Sequence, residues 1–370
     1  MKTKQRHNDE MLEGIKVLDL SRVLAGPCAS MMLGDLGANV IKVEHPHQGD
    51  ETRGWGPPFD QRGESAYFLS VNRNKLGITA DLDDPEGISL VRSLAGQADV
   101  LLENFRPGAL ARRGLTHSSL REENPGLVWC TITGFGDASD RPGYDFVVQA
   151  ECGWMAVTGE PGGAPMKSGV AFADVMAGKD AVAAILAALV SRARSGMGRV
   201  VSVSLQASAT AALVNVAQNV LVSGDDANRW GNSHPNLVPY QLFEAADRGV
   251  IIAVGSDAQW RACAGALGLD ELGEDAALAT NAGRLAHRAL VAGAIAERVR
   301  SDISSSWVAR LTEAGVPCGI VRTVTEALGA VEASPLTGVA PSVPGSVRLP
   351  PPLLGEHTAI VRDKGWHAFE

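Results

Sequence analysis

At 370 residues the chain is long enough for one large domain or two ordinary ones. With 45% hydrophobic against 20% charged residues it can bury a core without a disulfide or metal staple. The net charge of −9 argues against a nucleic-acid partner, whose binding needs a basic face, but leaves room for a small anion held by a few arginines or a helix N-terminus.

The first eleven residues, MKTKQRHNDEM, are charged and lack an apolar run, so no signal peptide is expected. Ile15–Leu20 has the length and composition of a strand, Pro27 suits the first turn of a helix, and Gly37 stands where a helix ends. Val40–Val43 is a second strand, and two strands joined by a helix imply a parallel sheet. The pattern continues with a helix in DDPEGISLVRSLAGQA, a strand in DVLLEN, a short helix in SSLREENPG and a strand in LVWCTITGFG. Next, the apolar run VAFA turns at Asp174 into an Ala-rich helix reaching about Arg194, followed by the strand VVSVSL and a further helix. The uncharged run Val200–Gly224 has membrane-span length, but Ser202, Ser204, Gln206, Asn215, Gln218 and Asn219 interrupt it, so no membrane partner is expected.

A loop through DDANRWGNSHPNLVPYQLF leads to a stretch of different texture, with a strand in RGVIIAVGS and helices in DAQWRACAGALG and LAHRALVAGAIAERVRS. GVPCGIVRTVTEAL reads as a return to the first sheet, and the Pro-rich VPGSVRLPPPLLGEHT as an exposed tail. The expected fold class is therefore α/β: an open, mainly parallel Rossmann-like large domain over 1–205, a linker helix and loop over 206–235, a smaller inserted α/β domain over 236–315, and a closing segment over 316–370. The cysteines at 28, 130, 152, 263 and 318 are far apart, odd in number and free of any CxxC, which reads as reduced thiols in a cytoplasmic protein.

Motifs for a dinucleotide, a P-loop, a zinc protease and a hydrolase nucleophile are all missing, and no His/Cys cluster suggests a metal. What remains are polar residues at strand ends, where open α/β sheets bind ligands. They are Arg22, Glu44 with His45, Asn104 with Phe105 and Arg106, and Asp174. Each has a plain structural role open to it. Asp174 suits a helix N-cap as readily as chemistry, Arg112 and Arg113 suit a helix C-terminus, Tyr144 and Asp145 suit a buried hydroxyl and a turn, and His234 suits a Pro-rich loop.

The stretches GIKVLDLSRVLAGPCASMMLGDLGANVIKVEHPHQGDETRGWGPP, NRNKLGITADLDDPEG, ADVLLENFRPGALARRGL, ITGFG with GYD, TGEPGGAP with VAFAD, RWGNSHPNLVPYQLF and PPLLGEHT together resemble the class III CoA-transferases. That superfamily includes formyl-CoA and carnitine CoA-transferases and α-methylacyl-CoA racemase. The resemblance runs from about residue 13 to 360. SAYFLSVNRNK and NRWGNSHPNLVPYQ look most like the branch moving CoA between short dicarboxylates, such as the succinyl-CoA:glutarate type.

This resemblance implies coenzyme A, carried on acyl-CoA, and carboxylic acids as substrates, no metal, and an interlocked homodimer. It implies Asp174 as nucleophile, passing through an acyl anhydride and an aspartyl-CoA thioester, with the apolar Phe172, Val175 and Met176 limiting its hydration. It places Asn104, Phe105, Arg106 and Arg112 along the CoA nucleotide, joined by His45, Tyr144 and Asp145. His45 stands where formyl-CoA transferase has a CoA-contacting arginine, and Leu24 where it has a glutamine near the small acyl group. Its glycine-rich loop has no counterpart here. Both departures speak against formyl or oxalyl substrates. Arg22, Leu24, Asn232, His234 and Tyr240 are the candidates for the acyl or acid side. Two alternatives stand beside transfer: a racemase, whose proton-transfer histidine would occupy the position of Tyr144, and a non-catalytic CoA binder. Tyrosine, with an ordinary pKa of about 10, is a poor base near neutrality and favours transfer.

Overall fold

The computed structural model describes residues 10–370; residues 1–9, which carry most of the charged N-terminal stretch, lie outside them. The chain divides into two compact units, one formed by the chain up to Met155 with Lys167–Asp225 and Val331–Glu370, the other by Ala156–Met166 and Asp226–Ala330.

The larger unit is built on strands β1 (Lys16–Asp19), β2 (Asn39–Glu44), β3 (Lys75–Thr79), β4 (Val100–Glu103), β5 (Val128–Thr133) and β6 (Val200–Ser204). They pair in the order β3-β2-β1-β4-β5-β6, every pairing parallel. Helices cover both faces, so adjacent strand residues are buried on opposite sides and the strands read as unbroken apolar runs. Val17, Val40, Val100 and Val128 pack against α1 (Ala25–Asp35) and the long helix α5 (Phe172–Ser195). Leu18, Ile41, Leu101 and Trp129 pack against α2 (Pro85–Ala95), α3 (His117–Glu123) and α11 (Thr358–Lys364). Between α3 and α5 lies α4 (Asp145–Glu151). Helices α1 and α5 meet at Gly178, where a Cβ would lie 2.8 Å from the Ala25 carbonyl oxygen, so glycine is required for that approach.

Three expectations need correction here. Residues 168–171 form no strand before α5; Ser168 N–H donates to buried Gln149, and Gln149 donates to the Val170 carbonyl, which holds the run as irregular backbone. The expected helix after β6 is two, α6 (Leu205–Ala211) and α7 (Asn215–Ser223), broken at Val214 with φ +43°. The Pro-rich closing segment is exposed over residues 344–348 but is not a free tail: Pro351 and Pro352 are buried, Asn74 accepts from the Arg348 and Leu349 amides, and His357 accepts from Gly77 N–H of β3. That lays the segment along the outer strand and covers an edge otherwise open to pairing.

The smaller unit holds an antiparallel sheet of β7 (Tyr240–Glu244), β8 (Gly249–Ala253) and β9 (Cys318–Ile320), with β8 central. Helices α8 (Asp257–Leu267), α9 (Arg288–Val299) and α10 (Ser304–Glu313) pack around Trp260, Trp307 and Phe243. Tyr240–Phe243 is thus strand rather than loop. GVPCGIVRTVTEAL does not return to the first sheet, because its strand pairs with β8 and the chain rejoins the larger unit only at Val331. The division at 206, 236 and 316 moves accordingly to 226 and 330, with 156–166 added to the smaller unit. Among the described residues no single helix is long and apolar enough to cross a membrane; α6 and α7 pass only as a pair, bent by 74°.

Replacing Gly178 with leucine should destabilise the protein by about 2–3 kcal/mol, since a packed helix crossing has no room for the added atoms. Urea unfolding measures it; an unchanged midpoint would show that the two helices can separate freely.

Candidate active site

A doubly wound sheet forms a crevice where successive strands turn to opposite sides, here between β1 and β4. The larger unit has a cavity of about 290 Å³ at that place. Its walls are the turn Arg22–Ala25 after β1, Glu51 after β2, Asn104–Pro107 after β4, Ile132–Gly134 ending β5, the loop Ser139–Tyr144, Leu205 of α6, and Asp174 of α5. The Ser139–Tyr144 loop can fold back onto β5 because Gly134 and Gly143 touch: a Cβ on Gly143 would lie 2.2 Å from the Gly134 Cα.

Asp174 is not the N-cap of α5. The N-cap is Ala171, which has no side chain for the task, and Asp174 lies two residues into the first turn. The cap comes from another element: an Asp145 carboxylate oxygen accepts from Ala173 N–H at 2.7 Å and from Asp174 N–H at 3.4 Å. Its other oxygen accepts from Gln149 Nε2 at 2.7 Å. Burial, with the neighbouring Asp145 charge second, pushes the Asp174 carboxyl up to about 7.

The structure brings together Arg22, Leu24, Asn104, Phe105, Arg106, Tyr144 and Asp174 around this one cavity. Asn104 clamps the turn after β1: its oxygen accepts from Arg22 N–H at 2.9 Å and its amide donates to the Arg22 carbonyl at 2.7 Å, which leaves its second amide N–H for a ligand. The Arg22 guanidinium lies over the Phe105 ring, 5.3 Å from its centroid. Asp145 sits behind the wall. His45 and Arg112 are not part of it; His45 Nδ1 accepts from the His47 and Gln48 amides in the turn after β2. Glu44 is bound by Arg53, and Arg113 by Asp83.

Asn232, His234 and Tyr240 belong to the smaller unit, where residues 232–234 run beside β7. His234 and Tyr240 rings lie 5.1 Å apart. His234 Nδ1 accepts from Asn236 N–H at 3.0 Å, which leaves the ring proton on Nε2. Burial and the Arg288 charge hold His234 below its ordinary pKa.

Three groups escaped the reading of strand ends. Tyr67, in a single helical turn Ala66–Leu69, has its hydroxyl pushed up to about 12 by burial and then by the carboxylates of Asp174, Asp145 and Asp50, so it stays protonated beside them. Gln149 and Asp50 are fully buried. Tyr67 lies in SAYFLSVNRNK and Asp50 in HPHQGDETRGWGPP, both stretches that carry the resemblance, but nothing in either singled out these residues, and Gln149 falls in no such stretch.

A doubly wound α/β unit with a cavity at the switch point, and a buried carboxylate of raised pKa on its wall, has the form of a ligand site at the strand ends. Residues 12–358 match the model of CoA-transferase family III, and the chain belongs to that family. It is 41% identical to the succinate–glutarate CoA-transferase of Agrobacterium fabrum, over 95% of this chain and 94% of that one. It is 39% identical to the human succinyl-CoA:glutarate CoA-transferase, over 96% and 86%. The solved structure of a CaiB/BaiF family protein from Brucella suis superposes with a TM-score of 0.84 at 41% identity, covering 95% of this chain and 98% of that one. The chain is thus a class III CoA-transferase, and its substrates are an acyl-CoA and a carboxylate.

The raised carboxyl carries a stability cost with a definite sign. Below pH 4 Asp174 is protonated folded or unfolded; as pH rises to about 7 the unfolded chain ionises first, so stability is lost across that window. Asp174→Asn should therefore raise the melting temperature at pH 8 but hardly at pH 4. Equal gains at both values would disprove a buried, neutralised carboxyl.

Proposed function

We propose that the protein transfers CoA from succinyl-CoA to a short dicarboxylate through covalent catalysis by Asp174. The observation carrying this reading is the carboxylate of raised pKa, in a cavity it shares with Arg22 and Arg106, for which no ion pair is found among the described residues. The two relatives, named for transfer between succinate and glutarate, support the substrate class.

An Asp174 oxygen attacks the thioester carbonyl, the C–S bond breaks, and CoA leaves as thiolate, giving a mixed anhydride. The thiolate then attacks the Asp174 carbonyl carbon, expelling succinate and leaving an aspartyl-CoA thioester. The acceptor carboxylate attacks that carbon, and the same steps run in reverse to release the new acyl-CoA and Asp174. No proton is gained or lost over the cycle. Each addition makes an oxyanion, which needs preorganised N–H donors. The first amides of α5 are already engaged by Asp145, whereas α1 starts at Leu24 with no side-chain cap and opens on the same cavity. We therefore assign the oxyanion to the start of α1. Arg106 suits a CoA phosphate and Arg22 the distal carboxylate of the acid. His45 and Arg112 are left to the outer reach of the nucleotide. The dimer implied by the resemblance fits the same reading, since a second chain would cover Val214, Leu221 and Val222 on and beside α7, each more than two-thirds exposed. Tyr144 at the cavity wall supplies no base for a racemase.

Incubation with succinyl-CoA and a panel of dicarboxylates should yield new acyl-CoA by mass spectrometry, and Asp174→Ala should lose it by at least a thousandfold, the scale of a missing nucleophile. Exchange undiminished in Asp174→Ala would end this reading. The reactive form is the carboxylate, so kcat should rise with pH through about 7. Asp145→Asn keeps an acceptor for Ala173 N–H but removes the negative charge, and should shift that rise to lower pH. A shift upward, or none, would show that Asp145 does not act on Asp174 electrostatically.

A further inference from the structure

The turn after β1 is held against its own backbone preference. Val23, a β-branched residue on the cavity wall, has φ +71°, a conformation that side chains branched at Cβ avoid. Such strain persists only where surrounding contacts over-determine it. Here they come from charged groups that no water reaches. Asp50 is 0% exposed, and both its oxygens accept from Val23 N–H at 3.3 Å. Lys42, also 0% exposed, donates to Asp50 at 3.0 Å and to the Ser21 carbonyl at 2.8 Å. Asp50 is itself fixed, accepting from Thr52 Oγ1 at 2.7 Å and donating its own N–H to Glu44 at 2.8 Å. From the opposite side Asn104 brackets Arg22. Residues 21–23 are thus bonded on both sides, and Leu24 and Ala25, which start α1, follow directly.

We propose that Asp50, through its ion pair with Lys42, is a positioning residue for CoA transfer: it holds Val23 in the left-handed conformation that aims the start of α1 at the carbonyl attacked by Asp174. This rests on the reading of the Asp174 cavity as the transfer site. A buried ion pair is a poor device for stability alone, since apolar residues of similar volume commonly replace one without loss. Its use here is geometric: it supplies an acceptor for a strained N–H and a donor for the carbonyl two residues earlier, at fixed separation. Apolar packing can do neither.

Four variants separate the possibilities, assayed for kcat and KM with succinyl-CoA and glutarate, or with whichever acid the wild type exchanges. In Lys42→Met/Asp50→Leu the pair is removed as a whole. It should remain folded by circular dichroism, keep KM for succinyl-CoA within about threefold, and lose on the order of 10- to 100-fold in kcat, the scale of a small misplacement. Adding Val23→Gly to it should restore most of that loss, because glycine adopts positive φ without being held. Should the double variant not fold, Asp50→Asn, which keeps one acceptor oxygen, is judged by the same split. A kcat within about threefold of wild type overturns the proposal. So does a loss that follows the unfolded fraction and is not recovered by Val23→Gly. Asp174→Ala serves as the control: if it retains exchange the site itself is misassigned, whereas an inactive control beside an undiminished double variant refutes the positioning role alone.

Discussion

The active cavity depends on one carboxylate capping a helix to which it does not belong. Asp145 binds the first amides of α5, thereby fixing where Asp174 lies, and its charge adds to the burial that makes an Asp174 carboxylate costly. An N-cap from within the helix would have satisfied the same amides, but would have left the two carboxylates free to turn apart. Coming from α4, itself hung from a loop that crosses β5 at a contact between two glycines, the cap ties the strand ends to the long helix. Gln149 completes the joint by binding Asp145 and both ends of the irregular run that enters α5.

A parallel sheet buried on both faces leaves little room for chemistry except at its strand ends, and the same burial makes any charge there expensive. The structure answers with pairs. Asp19 takes Lys75 and two serine hydroxyls; Asp50 takes Lys42 and Thr52; Glu44 takes Arg53. For Asp50, burial alone would raise the carboxyl, yet Lys42 and the Thr52 bonds outweigh it and hold the group below its ordinary value. Asp174 goes the opposite way because, among the described residues, no cation is placed to offset its burial. Two aspartates on the same sheet edge therefore differ in kind: one is a fixed anion within the scaffold, the other a carboxylate held near the balance point of its two forms.

The strands of the sheet and most of its helices were legible because their signals are local. Val17–Leu18 and Val128–Trp129 are apolar at adjacent positions, as burial on both faces requires, and Pro27 and Gly37 mark the limits of α1. What the sequence hid depends on partners far along the chain. VAFA has the look of a strand, yet its second half is the first turn of α5, and the residues before it are held irregular by Gln149, far back in the chain. Asp174 looked like a cap since the true cap lies 29 residues earlier. CGI is equally apolar whichever sheet it joins, so its pairing with β8 could not be read, and the Pro-rich closing segment gave no hint that β3 lay beneath it. The cavity residues after β1 and β4 followed from the rule for strand ends, while Asp50 and Tyr67, from the segment between β2 and β3, did not.

A carboxylate made reactive by burial and by a like-charged neighbour is a site at odds with its own fold. Moving Asp145 away would ease Asp174 but uncap α5; pairing Asp174 with a lysine would stabilise the anion and blunt it as a nucleophile. The arrangement resolves the conflict by letting one carboxylate serve as a hydrogen-bond acceptor for the helix and as a repulsive charge for the aspartate that helix presents. The two effects cannot be separated by moving either residue, since the oxygen 2.7 Å from Ala173 N–H also meets the Asp174 amide. Along its inner face α5 packs closely on α1 and on the sheet, where Ala173, Ala177 and Ala181 are fully buried and Gly178 allows the helices to touch, which leaves the helix that presents Asp174 little freedom to shift.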